Sequence, residues 1–195
     1  MHGLMNRAIQ CFVRDTYGPP AWRDVAARAD LGPHGFEAML SYDDAITWTV
    51  LRLVCERLCK PEDAVLEDLG TYLVSHPNVE ALRRLLRFGG VDFVDFLHSL
   101  DELPDRARLA VPDLALPEIE IEVGRDESFR LRCRSERRGF GHVLVGVLRA
   151  MADDYGALAI IDHEDGVAGE EVVTVDLMLA GFTSGRDFDL AGHPA

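Results

Sequence analysis

The residues with chemical potential fall into a few groups. Cys55 and Cys59 stand four apart in a helical stretch. That spacing puts two thiols on one helix face, but no second close pair completes a tetrahedral metal set. Cys11 and Cys133 are isolated, so all four cysteines read as free thiols of a reducing compartment. Arg130, Arg132, Arg134, Arg137 and Arg138 form a basic cluster. In the first three, arginine alternates with Phe129, Leu131 and Cys133, which places the guanidiniums on one strand face. The segment just before carries Glu118, Glu120 and Glu122 in the same alternation, so a cross-strand charge ladder is expected. The chain contains no Gly-x-Ser-x-Gly, no phosphate loop and no His-Glu-x-x-His, so no enzyme is expected.

Composition narrows the partners. The 195 residues carry a net charge of −14, which disfavours nucleic acid and anionic membrane surfaces. Near-zero mean hydropathy reads as globular and soluble. No apolar stretch approaches the ~18 residues of a spanning helix. The start, MHGLMNRAIQCFVRD, lacks a signal-peptide pattern, so the cytoplasm is the expected compartment.

These groups must be positioned by elements readable from periodicity. Leu4, Ile9, Phe12 and Val13 mark a first helix ending near Tyr17-Gly18-Pro19-Pro20. A second helix spans about Ala21 to Ala29 and stops at Leu31-Gly32-Pro33. Tyr42-Asp43-Asp44 caps a helix carrying Ile46, Val50, Leu53, Val54 and Leu58. Pro61-Glu62-Asp63 opens the next, with acids at the positive end of the dipole. A short helix over Val79–Phe88 precedes a broadly apolar helix from Val91 to about Leu103. Ile119–Val123 and Phe129–Ser135 then alternate as a hairpin, turning at Gly124 to Glu127. A helix over Phe140–Tyr155 follows, then strands at Leu158–Asp162 and Val172–Leu179.

This predicts an α+β fold. A helical N-terminal subdomain, about residues 1–111, packs on a four-stranded antiparallel sheet with one inserted long helix, about 112–180. Residues 1–180 are expected to form a single domain, and 181–195 a loose C-terminal tail.

The order and its landmarks resemble the H-NOX (haem-nitric oxide/oxygen binding) family. The landmarks are Met1-His2-Gly3, Tyr17-Gly18 with Trp22, Tyr42-Asp43-Asp44, and Leu69-Gly70. They continue with Phe96-Leu97-His98-Ser99-Leu100-Asp101-Glu102-Leu103, then Pro112 and Pro117, then Cys133-Arg134-Ser135-Glu136-Arg137 followed by Gly139. The likeness runs from about Met1 to Leu179.

The resemblance implies haem b, nitric oxide or oxygen as its ligand, and a signalling partner such as a histidine kinase or a cyclic-dinucleotide enzyme. It implies that Ser135 and Arg137 meet the haem propionates and that Pro117 presses on the haem face. Pro117 also reads as a strand-entry proline. Two positions depart from the family pattern. The proximal histidine is Pro104, and the propionate-binding tyrosine is Cys133. His98 and His142 are the candidate substitute ligands. His98 lies six residues before Pro104, so at about 100° per residue it points roughly 120° away. Without haem, Arg137 must find a carboxylate, another anion or solvent. A proline inside a helix costs about 3 kcal/mol, so the helix should end or kink near Leu103, with Pro104 starting a new turn. The alternative to a haem gas sensor is a haem-free regulatory or interaction module that keeps the fold.

Overall fold

The structure is a computed structural model that describes residues 1–188 except 33–34, 126–127, 136 and 167–169. The expected helix stop at Pro33, the turn end at Glu127, Glu136 of the arginine motif and the tail from 189 onward lie outside the described residues.

The helical half begins with α1 (Gly3–Tyr17) and α2 (Pro19–Arg28). His2 Nδ1 accepts the Leu4 amide at 3.2 Å and so caps α1. Gly18, at φ 86°, makes the corner between the helices, and Pro19 enters α2 where no backbone donor is needed. α3 (Asp44–Leu58) is capped by Asp43, whose carboxylate accepts from Ala45 N at 2.8 Å. α4 (Glu62–Ser75) follows Pro61, with Glu62 and Asp63 in its first turn. A 3-10 turn (Pro77–Val79) leads to α5 (Glu80–Arg87).

The helix expected from Val91 to about Leu103 is shorter, α6 (Phe93–His98), and the new turn expected at Pro104 is α7 (Leu103–Ala110). Pro104 has no N–H to donate and cannot continue α6, but it is tolerated in the first turn of α7. The break is tied down from both sides. Ser99 N meets the carbonyls of Asp95 and Phe96, both at 3.1 Å, and Arg106 Nη2 donates to Ser99 O at 2.8 Å.

The sheet half contains β1 (Glu118–Val123), β2 (Ser128–Arg134), α8 (Phe140–Tyr155), β3 (Leu158–Asp165) and β4 (Glu171–Leu179). The strands are antiparallel in the order β1-β2-β4-β3. Ile119 faces Cys133, Ile121 faces Leu131, and Leu131 faces Val173, so the apolar residues form one face under α8. Leu144, Val145, Leu148 and Met151 of α8 meet that face, together with Phe96, Leu97 and Leu100. A second core, built from α1 to α4, holds Phe12, Val13, Val25, Phe36 and Val54.

The two cores meet where α4 crosses α8. A Cβ on Gly70 would lie 2.0 Å from Val143 O, and one on Gly146 would lie 2.0 Å from Glu67 O. Only glycine permits backbones this close.

The outer sheet face carries the charge ladder, shifted one step from the direct pairs. Arg132 reaches Glu122 at 3.1 Å and Arg134 reaches Glu120 at 2.6 Å, although in register Arg132 faces Glu120. Strand twist and long side chains favour these diagonals.

The segment after β4, expected to be loose from Gly181, is fastened as far as Phe188. Phe182 N and Thr183 N donate to Gly156 O, and Arg186 N donates to Asp154 O at 2.9 Å. Arg83 Nη2 donates to Asp187 O at 3.3 Å.

Candidate functional site

The sequence points to the start of α7, the end of β2 and the connection that follows β2. Leu103 is 9% exposed, and Pro104 beside it is buried in the first turn of α7. Its ring offers no lone pair to a metal and no proton to an acceptor. Cys133, at the end of β2, is 1% exposed. Burial, with Glu171 and Glu170 nearby, pushes its thiol up to about 12, so it stays protonated and is a weak donor.

Ser135 and Arg137 lie in the β2–α8 connection. Ser135 Oγ accepts the Arg137 amide at 3.1 Å, a local turn bond. Arg137 Nε donates to Asp44 Oδ2 at 2.7 Å and Nη2 reaches Oδ1 at 3.4 Å. The chain's own ammonium at Met1 pairs with the same carboxylate and donates to Tyr42 O at 2.7 Å. Arg137 and the ammonium hold the Asp44 carboxyl at about 2, against the opposing effect of burial. Arg137 therefore has its carboxylate, and one acid joins the chain start, α3 and the β2–α8 connection. Sequence reasoning named Asp44 only as part of a helix start. Its position at the first turn of α3 was the available signal.

The substitute histidines are turned to other neighbours. His98 is exposed at the end of α6, with its ring edge-on to Phe129, centroids 5.5 Å apart. His142 stacks on His163 at 3.9 Å, and its Nδ1 lies 3.7 Å from Glu67. Among the described residues, no group of three or more His, Cys, Asp or Glu is placed to hold a metal ion. The spaced thiols Cys55 and Cys59 remain free. Pro117 is buried immediately before β1, at strand entry.

These residues do not fit an iron porphyrin. The start of α7 has no imidazole, and the position of the phenol donor holds a buried thiol. The guanidinium expected on the propionates is matched by Asp44. The apolar side chains around Leu103 and Cys133 are packed together: Leu97, Leu100, Leu131 and Val145 have no exposed surface, and Leu144 is 2% exposed.

A second cluster escaped the sequence reading. Arg83 is 5% exposed and pairs with the fully buried Asp154 at 2.8 Å. The signal was available: Arg83 precedes Leu86 by three, and Asp154 follows Met151 by three, so each charge falls on an apolar helix face.

A family model for Haem-NO-binding proteins matches residues 2–163. Soluble guanylate cyclase gcy-31 of Caenorhabditis elegans is 24% identical over 154 residues, covering 79% of this chain and 22% of that protein. Soluble guanylate cyclase 89Da of Drosophila melanogaster is 22% identical over 173 residues, covering 87% of this chain and 26% of that protein. The chain thus spans about a quarter of the length of these relatives. Among solved structures, an H-NOX protein from S. oneidensis in the Fe(II)NO ligation state superposes with a TM-score of 0.74. It is 20% identical, and the match covers 91% of this chain and 99% of that one. The Fe(II) unliganded H-NOX protein from K. algicida gives a TM-score of 0.77 at 18% identity, covering 91% and 96%. Both share the α+β fold of helices on a four-stranded antiparallel sheet. With the family model spanning most of the sequence and the same architecture beneath it, this chain belongs to the Haem-NO-binding (H-NOX) family, the haem-based gas-sensor domain of signalling proteins such as soluble guanylate cyclases.

Proposed function

We propose that this chain is an H-NOX-type regulatory unit that works without an iron-ligated haem. The observation that carries this reading is Pro104, buried in the first turn of α7 where the family resemblance places the axial ligand. The Arg137–Asp44 pair supports it, because the remaining propionate partner is satisfied within the protein. The unit, about residues 1–180, senses or relays rather than catalyses. Its output goes to a signalling protein: a nucleotide cyclase, as the relatives suggest, or a histidine kinase or cyclic-dinucleotide enzyme. The net charge of −14 and the absence of a helix long and apolar enough to cross a membrane, among the described residues, favour a protein partner in the cytoplasm over nucleic acid or lipid.

The test is expression with the haem precursor 5-aminolevulinate, followed by the absorption spectrum of the purified protein. The expected result is no stoichiometric Soret band. A stoichiometric band that shifts with nitric oxide overturns the proposal and restores haem b as the cofactor. Loss of that band in His98→Ala or His142→Ala would then identify the ligand.

A further inference from the structure

A groove of about 670 Å³ lies on the far side of α6 from the packed core, between the end of α5 and the turn after α6. Arg87, Phe88, Val91, His98, Glu102 and Phe188 are among its lining residues. Here His98 finds its place.

Arg87 is unusual in this acidic chain. Its guanidinium sits 3.8 Å above the Tyr155 ring and 4.9 Å from the Phe188 ring, so its plane is fixed. Only 12% of the side chain is exposed, yet among the described residues Nε and Nη1 have no hydrogen-bond partner. The nearest carboxylate oxygen, Asp154 Oδ2, is 3.7 Å from Nη1. That carboxylate is already shared, with Arg83 at 2.8 Å and Arg186 at 3.8 Å. Among the described residues one acid therefore faces three guanidiniums, and Arg87 Nε and Nη1 keep unused donors. Beside it, Phe88 is 71% exposed and Val91 87% exposed, an apolar shelf on the groove wall.

We propose that this groove binds an amphiphilic monocarboxylate, with its carboxylate on the Arg87 guanidinium and its apolar body on Phe88 and Val91. A planar fork held between two rings suits a carboxylate and loses little freedom on binding. Asp95 and Glu102 on the groove repel additional negative charge, which selects one charge over a polyanion. This inference does not depend on whether haem is bound.

The experiment is calorimetric titration of the intact chain with octanoate and, separately, octanol, with backbone amide shifts of residues 87–99 followed by NMR. Octanoate should bind saturably, with shifts confined to the groove, and octanol should bind about tenfold more weakly or worse. Arg87→Gln should weaken octanoate by about tenfold or more. Phe88→Asp, at an exposed position that leaves the fold untouched, should weaken it similarly. Equal binding of octanol and octanoate, unchanged binding in either variant, or no saturable binding to the parent protein each overturns the assignment.

Discussion

Asp154→Ala is expected to be the most damaging single change to a charged side chain in the sheet half. Asp154 has no exposed surface, and its Oδ1 receives Arg83 Nε and Nη2, both at 2.8 Å. Removing it leaves a guanidinium that is 94% buried without its principal counter-charge. Breaking a buried pair from one side costs about 3–5 kcal/mol. Glu80, at 3.1 Å from Arg83 Nη1 and partly exposed, still offers some compensation, so the lower end, about 3 kcal/mol, applies. For a domain of this size each kcal/mol lowers Tm by roughly 2–4 °C, giving a fall of about 6–12 °C. The assay is thermal and urea unfolding followed by circular dichroism, with an unchanged urea slope confirming a stability effect. The companion Arg83→Met with Asp154→Leu should recover much of the loss, because an apolar pair of similar volume leaves no stranded charge. A Tm fall below about 3 °C for Asp154→Ala would refute the reasoning.

Three further outcomes are expected. Burial raises the Asp15 carboxyl, but hydrogen bonds from Arg14, Asn78 and Tyr72 outweigh it and hold it at about 2 against an ordinary 3.8. A depressed carboxylate stabilises the fold above its unfolded value and loses that contribution as pH falls from about 5 toward 2. Asp15→Asn should therefore cost about 2 kcal/mol at pH 7, with the gap from the parent protein narrowing over that acid range in urea titrations. Gly146→Ala should destabilise by about 3 kcal/mol or more, since its methyl would meet the Glu67 carbonyl at 2.0 Å and the obstacle is backbone rather than a movable side chain. Pro104→His combined with Cys133→Tyr should confer a Soret band on protein expressed with 5-aminolevulinate; no band would show that ligand loss alone does not explain the exclusion of haem.

Much of the fold was legible because its periodicities are strong. The amphipathic helices and the alternating hairpin announced themselves through Ile119, Ile121, Leu131 and Cys133, and the sheet places these on one face. The apolar run from Val91 to Leu103 misled because α6, the turn and the start of α7 all bury apolar residues; burial hides a chain reversal that periodicity alone does not mark. Pro104 was the correct warning. The ladder arginines were placed on the right face with their acids, while which side chains touch is set by twist as well as register and needed the structure. At the candidate site, the need of Arg137 for a carboxylate followed from its charge, but Asp44 lies 93 positions away, and only the tertiary structure brings them together. The segment through Phe188 was taken for tail because its fastening uses backbone amides and arginine–ring contacts, which leave no periodic trace.

The glycine crossing of α4 and α8 limits how this molecule can respond to any input. α4 is rooted in the helical core and α8 in the sheet core, and their main chains touch at Gly70 and Gly146. Interlocked main chains leave no lubricating layer of side chains, so one half cannot swivel over the other without unseating the whole contact. A displacement of the sheet half would therefore reach the helical half through this contact. α6, α7 and the segment fastened on Arg83 and Arg87 lie outside that pivot and are held by their own side-chain packing and hydrogen bonds.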